Sequence, residues 1–130
     1  MPTPPDDWLP LEKQRITPEG RWESRVRFGP QSKWFSGHFE TFPLLPGVAL
    51  LALASETLQR QAFENGRLLD VLGFSRVRFR HLVLPGDELC ISVAAMPSGP
   101  EAKLDFQITC QAKLVAHGFL KAREEGPFEH

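Results

Sequence analysis

One predicted helix, Gly47 to Asn65, constrains the fold more than any other part of this sequence. Its first half, Val48 to Ala54, is apolar on every face, so no side of it is suited to water. The second half becomes polar, and Asn65-Gly66 is predicted to end the helix with a residue in the left-handed conformation. We therefore expect the helix to be enclosed and the rest of the chain to wrap around it.

The segments on either side of this helix alternate in polarity as half-buried strands do. One side of the segment 21–28 consists of Trp22, Ser24, Val26 and Phe28. After the helix, the sequence predicts strands over 68–83, 88–96, 103–111 and 113–123, with turns at 85–87 and 97–100. One long helix with an antiparallel sheet is an α+β arrangement, and its open edge favours dimerisation.

The whole chain, residues 1–130, is predicted to be a single domain with an irregular lead-in over 1–20 and a polar tail over 124–130. A chain of 130 residues can bury a core without disulfides. The net charge of −1 does not favour a nucleic-acid partner, and the apolar runs are far shorter than the ~20 residues of a membrane span. Because the N-terminal residues lack the features of a signal peptide, we expect a cytoplasmic protein.

Two cysteines, Cys90 and Cys110, lie in segments predicted to pair across the turn at 97–100. In that register Cys90 faces about Gln107 and Cys110 about Asp87, which keeps the sulfurs too far apart to bond. We expect two buried free thiols. Since no Cys/His pair has the spacing of metal ligands, we expect no metal site.

One histidine, His38, lies in a loop with glycines and prolines that runs over residues 35–48, F-S-G-H-F-E-T-F-P-L-L-P-G-V. Imidazole titrates near neutrality and can hold or release a proton at pH 7. From the residues alone, a single histidine in apolar surroundings is more often structural than catalytic. His81 and His117 are predicted to be ordinary strand residues.

The order G-H-F, then P-x-x-P-G-V, then a helix resembles the active-site segment of the hot-dog-fold β-hydroxyacyl-thioester dehydratases, the FabA/FabZ type. The segments V-L-G-F-S-R-V-R-F-R and V-L-P-G-D-E-L are also similar, so the likeness runs from about Trp22 to Ala122. It implies a hot-dog fold, in which an antiparallel sheet wraps around one long central helix.

The same resemblance implies a reaction and an assembly. The substrate is a (3R)-hydroxyacyl thioester on acyl carrier protein or CoA, which loses water to become a trans-2-enoyl thioester. The smallest assembly is a homodimer, or a heterodimer with a paralogue, with an acyl tunnel at the interface. No dissociable cofactor is implied.

Three residues receive roles from the resemblance. His38 takes the place of the base that removes the α-proton, and the N–H of Gly47 polarises the thioester at the helix start. The family's acid lies fourteen positions after the histidine, where this chain has Ala52. Glu56, about 5.4 Å further along the helix, is the substitute in this chain. Its alternative role is to satisfy polar neighbours at the less apolar end of the helix.

The absent acid leaves several functions open, because general acid catalysis typically contributes 10²–10⁴-fold. Glu56 replaces the acid in a dehydratase, or a partner paralogue supplies it across the interface. Alternatively, the chain is a thioesterase in which Glu56 activates water, or a non-catalytic acyl-binding subunit. Glu40 and Thr41 replace the Pro-Gly that usually follows H-F, which alters the loop that holds His38.

Arg76, Arg78 and Arg80 form one face of a predicted strand. Such a face is usually just solvated. If the resemblance holds, these arginines also contact the acidic carrier protein that delivers the acyl chain.

Overall fold

The computed structural model describes residues 11–29 and 46–125. In chain order they form β1 (Glu12–Ile16), β2 (Arg21–Arg27), α1 (Gly47–Glu64), β3 (Leu69–Phe79), β4 (Glu88–Ala94), β5 (Glu101–Cys110) and β6 (Lys113–Glu124). The strands make one antiparallel sheet in the order β1-β2-β4-β5-β6-β3. The predicted α+β class is confirmed.

The core lies between α1 and the inner face of the sheet. The helix contributes Leu50, Leu53 and Leu58, each at most 3% exposed. The strands contribute residues such as Ile91 and Phe106, and the alternation predicted for β2 is confirmed. Each large apolar side chain buried in this way stabilises the fold by roughly 1.5–3 kcal/mol, so the helix is held mainly by packing.

The predicted end of the helix is also confirmed. Asn65 is the C-cap, and Gly66 adopts a left-handed φ of 75°. The N–H of Arg67 then donates to the carbonyl of Ala62 at 2.9 Å, which satisfies one of the last helical carbonyls. Within the described residues, no helix combines the length and the apolarity needed to cross a bilayer.

The prediction that the first half of α1 is fully enclosed is wrong within this single chain. Val48 is 62% exposed, and Leu51 and Ala52 are only half-buried. Phe63, further along the helix, is 63% exposed. A single sheet covers only the side of a helix that faces it, which leaves Val48, Leu51 and Ala52 on the other side incompletely buried.

The predicted irregular lead-in is wrong over Glu12–Ile16, which form the edge strand β1. Ile16 pairs with Trp22 of β2, and a bulge interrupts the register between Glu12 and Arg15. The sequence E-K-Q-R-I shows no apolar alternation. A strand at a sheet edge is held largely by backbone hydrogen bonds, so this pattern is compatible with it.

The other strand bounds need smaller corrections. β3 ends at Phe79 rather than at residue 83, and β6 extends to Glu124, where the polar tail was predicted to begin. The N–H of Glu124 donates to Pro100 and that of Glu125 to Leu68, both at 2.9 Å. These bonds hold the start of the predicted tail against the sheet.

The register predicted for the cysteines is wrong. Cys90 pairs with Thr109, whereas Gln107 pairs with Ser92. The loop between β4 and β5 is longer than the predicted turn, and this shifts the register. Both thiols are free, but they are half-buried rather than buried. Desolvation raises the pKa of both Cys90 and Cys110, which disfavours reactive thiolate at neutral pH.

A strained two-residue turn joins β5 and β6. Gln111 and Ala112 have φ values of 51° and 65°. Two positive φ values in a two-residue hairpin loop indicate a type I′ turn, for which Asn-Gly is the preferred sequence. Neither residue here is glycine, so each Cβ adds a steric cost.

We expect Ala112→Gly to raise the free energy of unfolding by about 0.5 kcal/mol, because relief of the left-handed strain exceeds the entropy cost of glycine. Denaturant unfolding monitored by circular dichroism measures the change. Ala102→Gly in β5, where the backbone is ordinary strand, is the matched control and should destabilise. A destabilised Ala112→Gly variant would contradict the type I′ assignment.

Candidate functional site

The candidate site begins at the N-terminal end of α1. Pro46 is the N-cap in an extended conformation, and no side chain caps the helix. The first helical hydrogen bond runs from the N–H of Ala49 to the carbonyl of Pro46 at 3.0 Å. The amides of Gly47 and Val48 precede it, and the first turn of α1 contains no acidic residue. The positive end of the helix dipole is therefore not neutralised by this turn.

Gly47 lies directly against the ring of Phe79 at the end of β3. A Cβ at position 47 would come within 2.9 Å of the Phe79 Cζ atom, closer than the roughly 3.5 Å at which carbons make favourable contact. The ring itself is half exposed, at 52% for the residue. Position 47 is therefore restricted to glycine while Phe79 keeps this place, and the helix start has an aromatic wall on one side.

The predicted base, His38, lies outside the described residues, as do Glu40 and Thr41. Its role stays a prediction. The two other predicted site residues lie on the same helix, but they are not close together. Glu56 follows Gly47 by nine residues, which is roughly 13 Å along the helix axis. Ala52, at the family's acid position, is roughly 7.5 Å from Gly47 along the same helix axis.

Glu56 is buried, and its carboxylate accepts a hydrogen bond from Arg60 Nε at 2.6 Å. The two residues are one turn apart on α1, and the Arg60 side chain is 26% exposed. A carboxylate in a salt bridge is the ionised acceptor form, whereas a general acid must carry a proton to donate. The ion pair is thus an argument for the alternative role of Glu56, in which it satisfies a polar neighbour.

A buried pair of hydroxyls fixes the orientation of the helix. Thr57 Oγ1 donates to the carbonyl of Leu53 at 2.8 Å, and the Ser24 hydroxyl contacts Thr57 Oγ1 at 2.5 Å. Because Thr57 uses its proton on Leu53, Ser24 is the donor to Thr57. This contact ties β2 to α1 and directs the side with Val48 and Ala52 away from the sheet.

The sequence predicts Gly47 and Glu56 as site residues, but it does not predict Phe79 and Arg60 as the groups that they contact. Phe79 lies in the strand predicted over 68–83, and no local signal in the sequence connects it with Gly47. The Glu56–Arg60 spacing of four residues was visible in the sequence as a helical ion pair. Within 11–29 and 46–125, no cluster of three or more His, Cys, Asp or Glu residues could hold a metal ion.

The contact between Gly47 and Phe79 predicts a coupling between the two positions. In a Phe79→Ala background, Gly47→Ala should stabilise the helix by up to about 1 kcal/mol, because alanine has the higher helix propensity. In the natural chain the clash with the ring cancels that gain. A double-mutant cycle of unfolding free energies measures the difference. Strictly additive effects of the two substitutions on the unfolding free energy would contradict the close contact between position 47 and the Phe79 ring.

The chain matches the ApeI-like family model, described as ApeI dehydratase, over residues 13–119. It is 34% identical over 93 residues to the 3-hydroxyacyl-[acyl-carrier-protein] dehydratase FabZ of Lactococcus lactis subsp. cremoris (strain SK11). That alignment covers 68% of this chain and 65% of the relative. The chain thus spans just under two thirds of the length of this curated relative. The resemblance to FabZ-type dehydratases is confirmed.

Two solved structures share the fold. The dehydratase heterocomplex ApeI:P from Xenorhabdus doucetiae superimposes with a TM-score of 0.72 at 20% identity, over 87% of this chain and 96% of that one. A hypothetical thioesterase with coenzyme A from Streptococcus pneumoniae TIGR4 gives 0.69 at 18% identity, over 90% and 85%. The predicted hot-dog fold is confirmed.

Proposed function

Because this chain belongs to the ApeI-like dehydratase family, we propose that it takes part in the dehydration of (3R)-hydroxyacyl thioesters carried on acyl carrier protein. The products are a trans-2-enoyl thioester and water. The family match over residues 13–119 carries the proposal, since it includes the histidine loop and the start of α1. Carriage on CoA is the alternative for the substrate.

In the proposed reaction His38 removes the α-proton, and the electron pair moves toward the thioester carbonyl. Negative charge then grows on the carbonyl oxygen. In this proposal the N–H of Gly47 and the helix dipole stabilise that charge. The ring of Phe79 beside Gly47 excludes water from one side, and a less polar environment strengthens the hydrogen bond to the oxygen.

The departing β-hydroxyl must receive a proton to leave as water, and the methyl group of Ala52 has none to give. Glu56 is one turn further from Gly47 and is bound to Arg60. We therefore propose that a second subunit, a paralogue with an acid at the Ala52 position, donates this proton. The exposed side chain of Val48, in the first turn of α1, supports a partner at this place. The heterocomplex from Xenorhabdus doucetiae is a precedent in the same fold.

If the acid is missing only because position 52 is alanine, Ala52→Glu should raise the dehydration rate of the isolated chain by roughly 10²-fold or more. Glu56→Gln should leave the basal rate unchanged. Formation of the enoyl thioester from a 3-hydroxyacyl carrier measures both. Gln59→Glu, which adds a carboxylate two turns further along α1, is the matched control and should give no gain.

The opposite result for these two variants would assign the role of the acid to Glu56. If Glu56→Gln abolishes dehydration by the isolated chain and Ala52→Glu gives no gain, Glu56 itself is the acid and the proposal of a partner is wrong. Release of free thiol without an enoyl product would instead indicate hydrolysis, with the ionised Glu56 activating water. Both products can be followed in the same reaction.

We expect His38→Ala to lower the dehydration rate of the complex by roughly 10²–10⁴-fold, because the α-proton loses its base. Added imidazole should restore part of that rate, since a small base can occupy the space of the missing side chain. The restoration separates a lost base from a misfolded loop. An unchanged rate in His38→Ala would show that His38 is not the base.

A further inference from the structure

The sequence has a single asparagine, Asn65, and a glycine follows it at the end of α1. The backbone nitrogen of the residue after an asparagine can attack its side-chain amide. Glycine allows this attack most readily, because it has no Cβ to obstruct the approach and its backbone is the most mobile. Both residues are exposed to solvent, so water reaches them. Asn65-Gly66 therefore has the sequence and the exposure of a deamidation site.

Deamidation at this pair proceeds in two steps. In the first, the Gly66 nitrogen loses its proton and bonds to Asn65 Cγ, while the side-chain amide takes up a proton and leaves as ammonia. This closes a five-membered succinimide ring. In the second step, water adds to one of the two ring carbonyls and opens the ring. Addition at the side-chain carbonyl gives aspartate, and addition at the backbone carbonyl gives isoaspartate, in which the backbone continues through the side chain.

The folded helix end holds both reacting groups in place. Asn65 Nδ2 donates to the carbonyl of Gln61 at 3.0 Å. The N–H of Gly66 donates to the carbonyl of Phe63, also at 3.0 Å. Ring closure needs the Gly66 nitrogen and the Asn65 Cβ on the same side of the Cα–C bond, which the ψ of 16° at Asn65 does not provide. The pair therefore reacts only after these hydrogen bonds break and Asn65 turns about that bond.

The next residue, Arg67, ties the helix end to the sheet. Its guanidinium donates to the carbonyls of Met96 and Pro97 at 2.8 and 2.9 Å, in the loop between β4 and β5. It also forms a salt bridge with Glu124 of β6 at 2.9 Å, in which the two side chains are 21% and 30% exposed. Charge-assisted hydrogen bonds are among the stronger ones in proteins. Opening of the helix end is therefore restrained while Arg67 keeps these partners.

We propose that Asn65-Gly66 is a modification site at which deamidation requires local opening of the helix end, and that Arg67 restrains this opening. The loss of ammonia makes the change irreversible, so the reaction marks chains in which the helix end has opened. The product is less stable than the natural chain. A carboxylate at position 65 lies at the negative end of the helix dipole and no longer donates to the carbonyl of Gln61.

Mass spectrometry of the intact chain in its native assembly follows the reaction directly, because the chain has no second asparagine. Peptide mapping then separates aspartate from isoaspartate at position 65. The native chain should deamidate at least about tenfold more slowly than the same chain unfolded in guanidinium chloride, because the hydrogen bonds of the helix end must break first. Equal rates in the two states would overturn the protection, and an unfolded chain that does not deamidate would overturn the site.

Arg67→Gln should raise the deamidation rate of the native chain roughly tenfold, because it removes the salt bridge that restrains the helix end. Arg21→Gln is the matched control, since Arg21 also pairs with a carboxylate, Asp105, and donates to a backbone carbonyl. Its neighbour Trp22 is buried in the core, so Arg21 lies on the other face of the sheet, away from α1. The control should deamidate at the natural rate. Equal acceleration in both variants, or none in Arg67→Gln, would overturn control of the site by Arg67.

Substitutions at position 65 test the effect of the product. Asn65→Ala should abolish the mass change, and its persistence would overturn the site. Asn65→Ala also loses the hydrogen bond to Gln61 without gaining charge, whereas Asn65→Asp loses the same bond and adds a carboxylate. We expect the denaturant midpoint to fall in Asn65→Ala and to fall further in Asn65→Asp. An Asn65→Asp variant as stable as the natural chain would overturn the destabilising effect of deamidation.

Discussion

The packing of α1 against one face of a single sheet is the constraint on which the rest of this structure depends. Leu53 and Leu58 are fully buried by the sheet, while Val48 on the other side is 62% exposed. The hydroxyl contact between Ser24 and Thr57 ties the helix to β2 in this orientation. The first half of this helix is apolar all round, but the described chain covers it fully on one side only.

The helix also sets distances within the site. Gly47, Ala52 and Glu56 lie on one rigid element, so their spacing along the axis cannot adjust to a substrate. Along the axis, Ala52 is roughly 7.5 Å from Gly47, whereas Glu56 is roughly 13 Å from it. The ion pair with Arg60 adds a second obstacle, because the carboxylate of Glu56 already accepts a hydrogen bond from Arg60 Nε. Both constraints favour an acid that comes from outside this helix.

Much of this architecture could be predicted from local patterns. The helix bounds and the alternation of β2 depend on residues close in sequence, and the structure confirms them. β1 and the register of Cys90 depend on pairing between distant segments, and there the predictions were wrong. The Gly47–Phe79 contact also joins segments that are distant in the sequence. For the candidate site, the sequence predicted the residues on the helix but not the groups that they contact.

The sequence does not show which arginines have a carboxylate partner; the three-dimensional structure does. In the sequence, Arg76, Arg78 and Arg80 resemble the arginines of β2, since both sets alternate with apolar residues on a strand. In the fold, Arg25 and Arg27 of β2 share Glu88 on the neighbouring strand. Among the described residues, the arginines at positions 76, 78 and 80 have no carboxylate partner. The same local pattern is therefore internally neutralised on β2 and left open at the β3 edge. The open edge is the one that adjoins the start of α1.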